Sequence, residues 1–301
     1  MVQLSSAREV LAALSAAERV DVLAYTLRRG PVLHGLEAAA RRGAHVRVRL
    51  EGVPYGDSSG SFARENRRIV DELARAGIDA QLARVGPRAA DEAPVHAKAI
   101  VADDRLFLDD RNWGDNDFVV CDRDPAAARA VLDAMDGDAH AGGCPSFAIE
   151  KRDALAREAD LLHSSKAGDR VIIESESFGY DNPVYAALDA LGKSGVTPRL
   201  LVSSREAASN SRERKALDRL ARDGVAIRLC RDSEKFALAG ERAWLGSANA
   251  SPAFGTPDMI DWGLCTDDPA TVAAARAAVE ARWNSARPLK TSCSVAGSGF
   301  C

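Results

Sequence analysis

The chain has 301 residues, 46% of them hydrophobic, which suffices for one large or two ordinary domains with a buried core. Its 40 basic and 44 acidic residues give a formal net charge of -4, which argues against a general binder of nucleic acid or anionic membrane but allows a local basic pocket. No stretch approaches the roughly 18 consecutive apolar residues that span a bilayer, and the N-terminus lacks the features of a signal peptide. We therefore expect a cytoplasmic protein.

Six cysteines are too few and too scattered for a disulfide scaffold, and no C-x-x-C pair indicates a zinc or redox site. Two of them bracket a Gly- and Ser-rich stretch at residues 291–301 that has neither helical nor strand periodicity. We expect this stretch to be a flexible tail that can be removed without loss of the fold.

In chain order, the first half begins with a helix whose start is marked by a capping box, Ser6 with Glu9. An apolar strand at 20–26 follows, then a helix from Pro31 and a strand at 45–50 with alternating apolar residues. A strand, a crossover helix and another strand are typical of a parallel sheet flanked by helices.

The next elements are a helix and a strand at 72–82, joined at Gly77, where the chain leaving a helix needs a positive φ. Two strands follow in residues 95–112, and then a strand that leads through a cysteine to Asp124-Pro125. This pair predicts a helix start, because the aspartate can cap the helix and the proline fits its first turn.

The second half repeats this series. The matching segments are a strand at 171–177, a helix from Pro183, a strand at 198–202, a helix and strand at 219–229 joined at Gly224, two strands in 232–249, and a helix start at Asp268-Pro269. Lys98 and Lys235 are 137 residues apart, and so are Asn112 and Asn249. A constant offset through the most polar part of the repeat indicates a site as well as a core.

We therefore predict an α/β protein of two α/β/α lobes, related by internal duplication and pseudo-twofold symmetry, with one composite site in the cleft between them. The predicted boundaries are a first lobe at 1–136, a Gly-rich linker at 137–150, a second lobe at 151–290 and the tail at 291–301.

One polar motif stands out in each half. The first is His96-x-Lys98, followed by Asp103 and, at the end of a strand, by Asn112. The second half supplies Gly-Ser-Ala-Asn at 246–249. Together these residues resemble the H-x-K-x4-D signature and downstream Asn of the phospholipase D superfamily, and the resemblance covers most of the chain. It implies that both lobes are phospholipase D-like.

Residues i and i+2 of a strand point to the same face, so His96 and Lys98 should present an imidazole beside an ammonium. The resemblance implies that one histidine attacks phosphorus to give a phosphohistidine and that the histidine of the other copy protonates the leaving oxygen, without metal or cofactor. It also implies a set of residues that bind the phosphate and neutralise its charge: Lys98, Lys235, Asn112, Ser247 and Asn249.

In the same family an acidic residue from the opposite copy orients each histidine. Asp117 and Asp261 hold matching places in the repeat, so the resemblance makes Asp261 the candidate partner of the His96 Nδ1 proton. Either aspartate also fits a solubilising residue at a strand end. We expect Asp103 to be structural, hydrogen bonded to local backbone or bracing the motif strand.

The second copy departs from the pattern, because Ser233 and Gly240 stand where a histidine and an aspartate are expected. The first copy has Asp109-Asp110 in place of Gly-Ser, and these carboxylates would repel an anion unless Arg111 or a bound cation compensates. The general acid has no obvious replacement. The remaining histidines lie on a helix, in the linker and near a helix end: His34, His140 and His163.

Two functions of different classes follow. One is phosphodiester hydrolysis or phosphatidyl transfer through His96, acting slowly or on a substrate whose leaving group needs little protonation. The other is a pseudoenzyme that binds a phosphate-containing ligand or partner. A nuclease is a weaker alternative, because the charge balance is acidic and no basic run is interleaved with aromatics. A phosphodiester, with phospholipids among the candidates, is the expected partner; peripheral membrane contact and the oligomeric state stay open.

Overall fold

The structure is a computed structural model that describes residues 2–85, 92–113, 118–138, 146–166, 168–231, 234–251 and 258–290. Several residues discussed above lie outside this part of the chain, namely Asp117, Ser233, half of the predicted linker (139–145, with His140) and the tail at 291–301. The chain divides into two compact units. The first takes its described residues from 2–154, 245–248 and 258–271, and the second from 155–244, 249–251 and 272–290.

The elements follow one another in the order that the sequence predicts. Up to residue 150 they are β1 (Gln3–Ser5), α1 (Ala7–Ala16), β2 (Arg19–Ala24), α2 (Pro31–Arg42), β3 (His45–Glu51), α3 (Ser61–Arg75), β4 (Asp79–Ala83), β5 (Lys98–Ala102), β6 (Arg105–Asp109), β7 (Val119–Asp122), α4 (Pro125–Met135) and β8 (Phe147–Glu150). After residue 150 they are α5 (Lys151–His163), β9 (Val171–Ser175), α6 (Pro183–Lys193), β10 (Arg199–Ser203), α7 (Ser204–Ser209), α8 (Ser211–Arg222), β11 (Ala226–Cys230), β12 (Phe236–Ala239), β13 (Arg242–Gly246), β14 (Ile260–Thr266), α9 (Pro269–Ser285) and β15 (Arg287–Pro288).

A sheet with strand order β1-β7-β6-β5-β2-β3-β4 forms the centre of the first unit. β2, β3 and β4 are parallel, and β5, β6 and β7 extend the sheet as antiparallel strands. β14 comes from the last part of the sequence, yet it pairs antiparallel with β8 inside this unit. The compact units therefore differ from the linear halves of the repeat, because the strand that carries Asp261 belongs to the first unit.

Three helices of this unit, α1, α2 and α4, start where the sequence predicts. The Ser6 side chain accepts a hydrogen bond from the Glu9 backbone N–H, and the Glu9 carboxylate accepts one from the Ser6 backbone. α2 begins at Pro31, and the Asp124 carboxylate caps α4. The apolar faces of α1, α2 and α3 pack with β2 and β3 in one core, whose fully buried members include Leu14, Leu33, Leu36, Val20 and Leu73. Burial of these apolar side chains is what holds the helices to the sheet.

The second unit repeats the first in topology. Its strands follow the order β15-β11-β10-β9-β12-β13, with β9, β10 and β11 parallel and β12 antiparallel to β9. The register also matches, since Val20 pairs with Ala102 in the first unit and Val171 pairs with Ala239 in the second. The internal duplication therefore extends to individual backbone pairs.

The turn after β5 and the turn after β12 have the same backbone conformation. Asp103 has φ 51° and Gly240 has φ 58°, in the left-handed region. The Asp103 carboxylate accepts hydrogen bonds from the backbone N–H groups of Glu18 and Arg19, which confirms its predicted structural role. Gly240 keeps the turn without the carboxylate, because glycine adopts a positive φ at little cost.

Candidate active site

Backbone contacts with β14 fix the position of His96. β5 begins at Lys98, so His96 lies just before the strand and not within it. The N–H groups of His96 and Ala97 both donate to the Ile260 carbonyl at 2.8 Å, and the Ile260 N–H donates to the Pro94 carbonyl at 2.8 Å. Because Asp261 follows Ile260, these bonds bring its carboxylate beside the imidazole.

The imidazole, a carboxylate and a hydroxyl form a hydrogen-bonded chain. Nδ1 of His96 lies 2.8 Å from Oδ1 of Asp261, the contact that the sequence analysis expects. The Ser247 hydroxyl donates to the same Oδ1 at 2.6 Å and accepts a bond from the Trp262 N–H at 3.0 Å. Asp261 is buried, whereas the His96 side chain is 15% exposed. The carboxylate thus fixes the ring through Nδ1, and Nε2 is the nitrogen available for chemistry.

Lys98 lies on the Nε2 side of the ring. Its Nζ is 3.1 Å from His96 Nε2 and donates to the His96 carbonyl at 2.5 Å. The ammonium also lies 5.5 Å from the centre of the Tyr25 ring, and that ring makes an edge contact with His96 at 5.0 Å between centroids. The imidazole and the ammonium are therefore side by side, as the i, i+2 spacing predicts, with Tyr25 as a wall.

Electrostatics keep Asp261 ionised. Burial alone would raise the pKa of this carboxyl, but the electrostatic interaction and hydrogen bond with His96, together with the charges of Lys98 and Lys151, hold the pKa below its ordinary value. Lys151 is itself buried, and burial lowers its pKa although Asp261 opposes the shift. Lys151 belongs to none of the motifs read from the sequence. Its position directly after the buried strand β8 is the sequence feature that could have indicated its burial.

Asp109 is the last residue of β6, and Asp110 and Asn112 follow the strand directly. The Thr26 hydroxyl donates to the Asn112 side-chain oxygen at 3.0 Å, so the amide nitrogen is the atom suited to donate to an anion. The Asp109 carboxylate accepts a bond from the Trp113 N–H at 2.6 Å, and the Asp110 carboxylate accepts one from the Phe118 N–H at 3.2 Å. Both buried carboxylates thus bond to turn backbone, which the sequence analysis did not anticipate.

The second unit holds Lys235 and Asn249. The Lys235 ammonium forms an ion pair with the Glu176 carboxylate at 3.3 Å, and the Ser177 N–H donates to the Asn249 side-chain oxygen at 3.3 Å. The residues that contact this lysine and this asparagine are thus neighbours in the chain, directly after β9. The same holds in the first unit, where Tyr25 and Thr26 follow β2.

Buried glutamates surround the strand end in the second unit. Glu213 accepts hydrogen bonds from the Phe178 N–H and the Ser177 hydroxyl, and burial raises its pKa to about 7. Glu174 accepts bonds from the Glu234 N–H and from Arg282, and burial raises its pKa to about 7 as well. In the repeat, Glu213 corresponds to Asn66, whose side-chain amide donates to two backbone carbonyls. Two buried glutamates with raised pKa values therefore lie beside the strand end that carries Glu176 and Ser177.

Neither a metal centre nor a membrane span is found in the described part of the chain. No group of three or more His, Cys, Asp and Glu side chains there is arranged to hold a metal ion. No helix among the same residues is long and apolar enough to cross a bilayer.

Solved structures with the same fold include two enzymes. No protein-family model and no curated protein matches the chain. It is similar to phosphatidylserine synthase from Haemophilus influenzae, with TM-score 0.67 and 11% identity over 96% of this chain and 88% of that one. It is also similar to polyphosphate kinase from Porphyromonas gingivalis, with TM-score 0.62 and 15% identity over 93% of this chain; the chain spans about half that enzyme, 49%.

These likenesses define the class of fold. This chain shares its α/β fold with those two enzymes. The α/β fold predicted from the sequence is therefore confirmed.

Proposed function

We propose that the protein hydrolyses or transfers a phosphodiester through a phosphohistidine on His96. The observation that carries the proposal is the contact of His96 Nδ1 with Asp261, which leaves Nε2 directed toward the Lys98 ammonium. A ring held through Nδ1–H has its lone pair on Nε2, the atom that attacks. The fold shared with phosphatidylserine synthase supports phosphodiester chemistry in general.

The proposed reaction has two steps. Nε2 of His96 attacks phosphorus, the bond from phosphorus to the leaving oxygen breaks, and that oxygen takes a proton. Water or a second alcohol then attacks the phosphohistidine, gives up a proton and regenerates the imidazole. Lys98, Lys235 and the amides of Asn112 and Asn249 are the proposed groups that neutralise the phosphoryl oxygens.

The proton for the leaving oxygen has no histidine donor in the second motif, where Ser233 and Gly240 replace the expected pair. General acid catalysis is typically worth about 10² to 10⁴ in rate. We therefore expect activated diesters, whose leaving groups need little protonation, to react far faster than alkyl diesters. Lipid diesters are the natural candidates for a second stage of screening.

The test is incubation with a diester labelled on phosphorus, followed by a search for an acid-labile, alkali-stable phosphoprotein. Wild type should be labelled, and His96→Ala should lose labelling and at least about 10³ of the turnover rate. His34→Ala removes an imidazole from α2 and should behave as wild type. Equal labelling of wild type and His96→Ala would overturn the proposal.

A second candidate function is phosphate binding without turnover, and it is favoured by the ion pair of Lys235 with Glu176 and by the loss of the second motif. Under this alternative, His96→Ala should bind a phosphate analogue as wild type does, and no variant should turn over any diester. Background-level hydrolysis by both proteins would favour this second function.

A further inference from the structure

The residue that faces the motif lysine differs between the two units. Lys98 pairs with Ala24 across β5 and β2, and the next residue of that chain is Tyr25. Phe236 pairs with Glu174 across β12 and β9, so the same register carries Lys235 opposite Ser175 and makes Glu176 the counterpart of Tyr25. The position held by the aromatic ring of Tyr25 in the first unit is therefore held by the carboxylate of Glu176 in the second.

The carboxylate of Glu176 presents a negatively charged oxygen to Lys235. It lies 3.3 Å from the Lys235 ammonium, which is buried, while the Glu176 side chain is 50% exposed. The next residue, Ser177, holds the side-chain oxygen of Asn249. An anion bound by Lys235 and the Asn249 amide would therefore meet the Glu176 carboxylate at the same strand end.

We propose that Glu176 is a specificity-determining residue that competes with anionic ligands for Lys235. A ligand must displace the carboxylate into solvent, and the half-exposed position of the Glu176 side chain makes that displacement feasible because the freed carboxylate is hydrated again. Displacing the carboxylate opposes binding, so Glu176 disfavours anions that contact Lys235 alone and favours phosphoryl groups that also bind the Asn249 amide. The inference rests on the proposed function only in that Lys235 receives an anionic ligand.

Calorimetric titration with inorganic phosphate tests the competition without requiring turnover. Glu176→Gln should bind phosphate about tenfold more tightly than wild type, and Glu176→Tyr, which installs the residue of the first unit, should show a gain of the same direction. Glu280→Gln is the matched control, because it removes a carboxylate of the same unit that pairs with Arg199. This control should change phosphate affinity less than twofold.

A second comparison asks whether Glu176 acts through Lys235. Lys235→Met keeps the buried stem, and adding Glu176→Gln to it should give no further gain in phosphate affinity; melting temperatures verify that each variant is folded. Phosphate binding by Glu176→Gln no tighter than by wild type, including no binding by either, would overturn the inference. So would equal gains in Glu176→Gln and Glu280→Gln, which would reflect net charge alone. If no phosphohistidine is detected but the phosphate affinities follow this pattern, only the proposed function is overturned.

Discussion

Lys98 and Lys235 occupy equivalent places in two copies of the same strand pair, but their surroundings differ. Lys98 lies between the Nε2 of His96 and the face of Tyr25. Lys235 lies against the carboxylate of Glu176. The backbone register around both lysines is the same, so side chains alone account for the difference.

The comparison shows that the duplicated frame tolerates opposite electrostatic environments at one position. The first unit joins a histidine, a buried aspartate and a serine through hydrogen bonds. The second unit collects glutamates, two of them with pKa values raised to about 7 by burial. A shared fold therefore fixes where the lysines and asparagines are, and the neighbouring side chains determine what each unit can bind.

Removing the charge of Asp261 should abolish the orientation of the His96 ring, which distinguishes the first unit from the second. Asp261→Asn keeps the shape of the side chain but loses the charge that holds the His96 Nδ1 proton, so Nε2 no longer keeps its lone pair. We expect turnover of an activated diester to fall about 10³- to 10⁴-fold, as for carboxylates that orient catalytic histidines elsewhere. Steady-state kinetics measure the loss.

The control for this variant is Asp267→Asn, the same chemical change at an exposed residue just after β14. It should leave turnover within about twofold of wild type, since surface substitutions rarely alter a distant site. A loss below tenfold in Asp261→Asn would show that the contact with His96 does not serve catalysis.

The glutamates of the second unit should make folding stability depend on pH. Burial raises the pKa of Glu213 from 4.5 to about 7, so the folded chain keeps this proton to a higher pH than the unfolded chain does. The stabilisation is fully present below pH 4.5 and is lost as pH rises through about 7. One such group changes the free energy of unfolding by at most about 1.4 kcal/mol per pH unit.

Glu213→Gln removes this titrating group. The free energy of unfolding should therefore fall less steeply between pH 5 and 7, by up to about 1.4 kcal/mol per pH unit. Urea unfolding at several pH values measures it, and Glu174 should keep a part of the slope in the variant. Parallel stability curves for the wild type and the variant would contradict a raised pKa at this position.

The smallest expected effect concerns how the asparagines are held. The hydroxyl of Thr26 donates a hydrogen bond to the Asn112 side chain, whereas the backbone N–H of Ser177 donates one to the Asn249 side chain. Thr26→Val should therefore raise the KM for a diester about threefold to tenfold with little change in kcat, because one hydrogen bond is lost. Ser177→Ala keeps its N–H and should leave the KM nearer to wild type; an equal rise in both variants would argue against this role for Thr26.

Local sequence signals predicted much of the fold. Ser6 with Glu9 and Asp124 with Pro125 start helices because caps act through neighbouring backbone, and such short-range rules can be read from spacing. The contact of Asp261 with His96 was also expected, but from resemblance to a family rather than from local chemistry.

Features that depend on register or turn geometry escaped the sequence analysis. Tyr25 and Glu176 become counterparts only when the pairing of β2 with β5 and of β9 with β12 is known. The carboxylates of Asp109 and Asp110 were expected to repel an anion, yet their positions depend on hydrogen bonds from the backbone N–H groups of Trp113 and Phe118. The acidic surroundings of Lys235 likewise arise from residues far apart in the sequence.

The contact of His96 with Asp261 can form only after both residues have been synthesised. These residues are 165 positions apart, and the carboxylate arrives on β14, which comes late in the chain. Contacts between distant positions form late in folding because a long loop must close first. A chain still under synthesis carries His96 without the carboxylate that orients it. The His96 ring is therefore oriented only after β14 has left the ribosome, and products truncated before β14 lack the carboxylate that orients it.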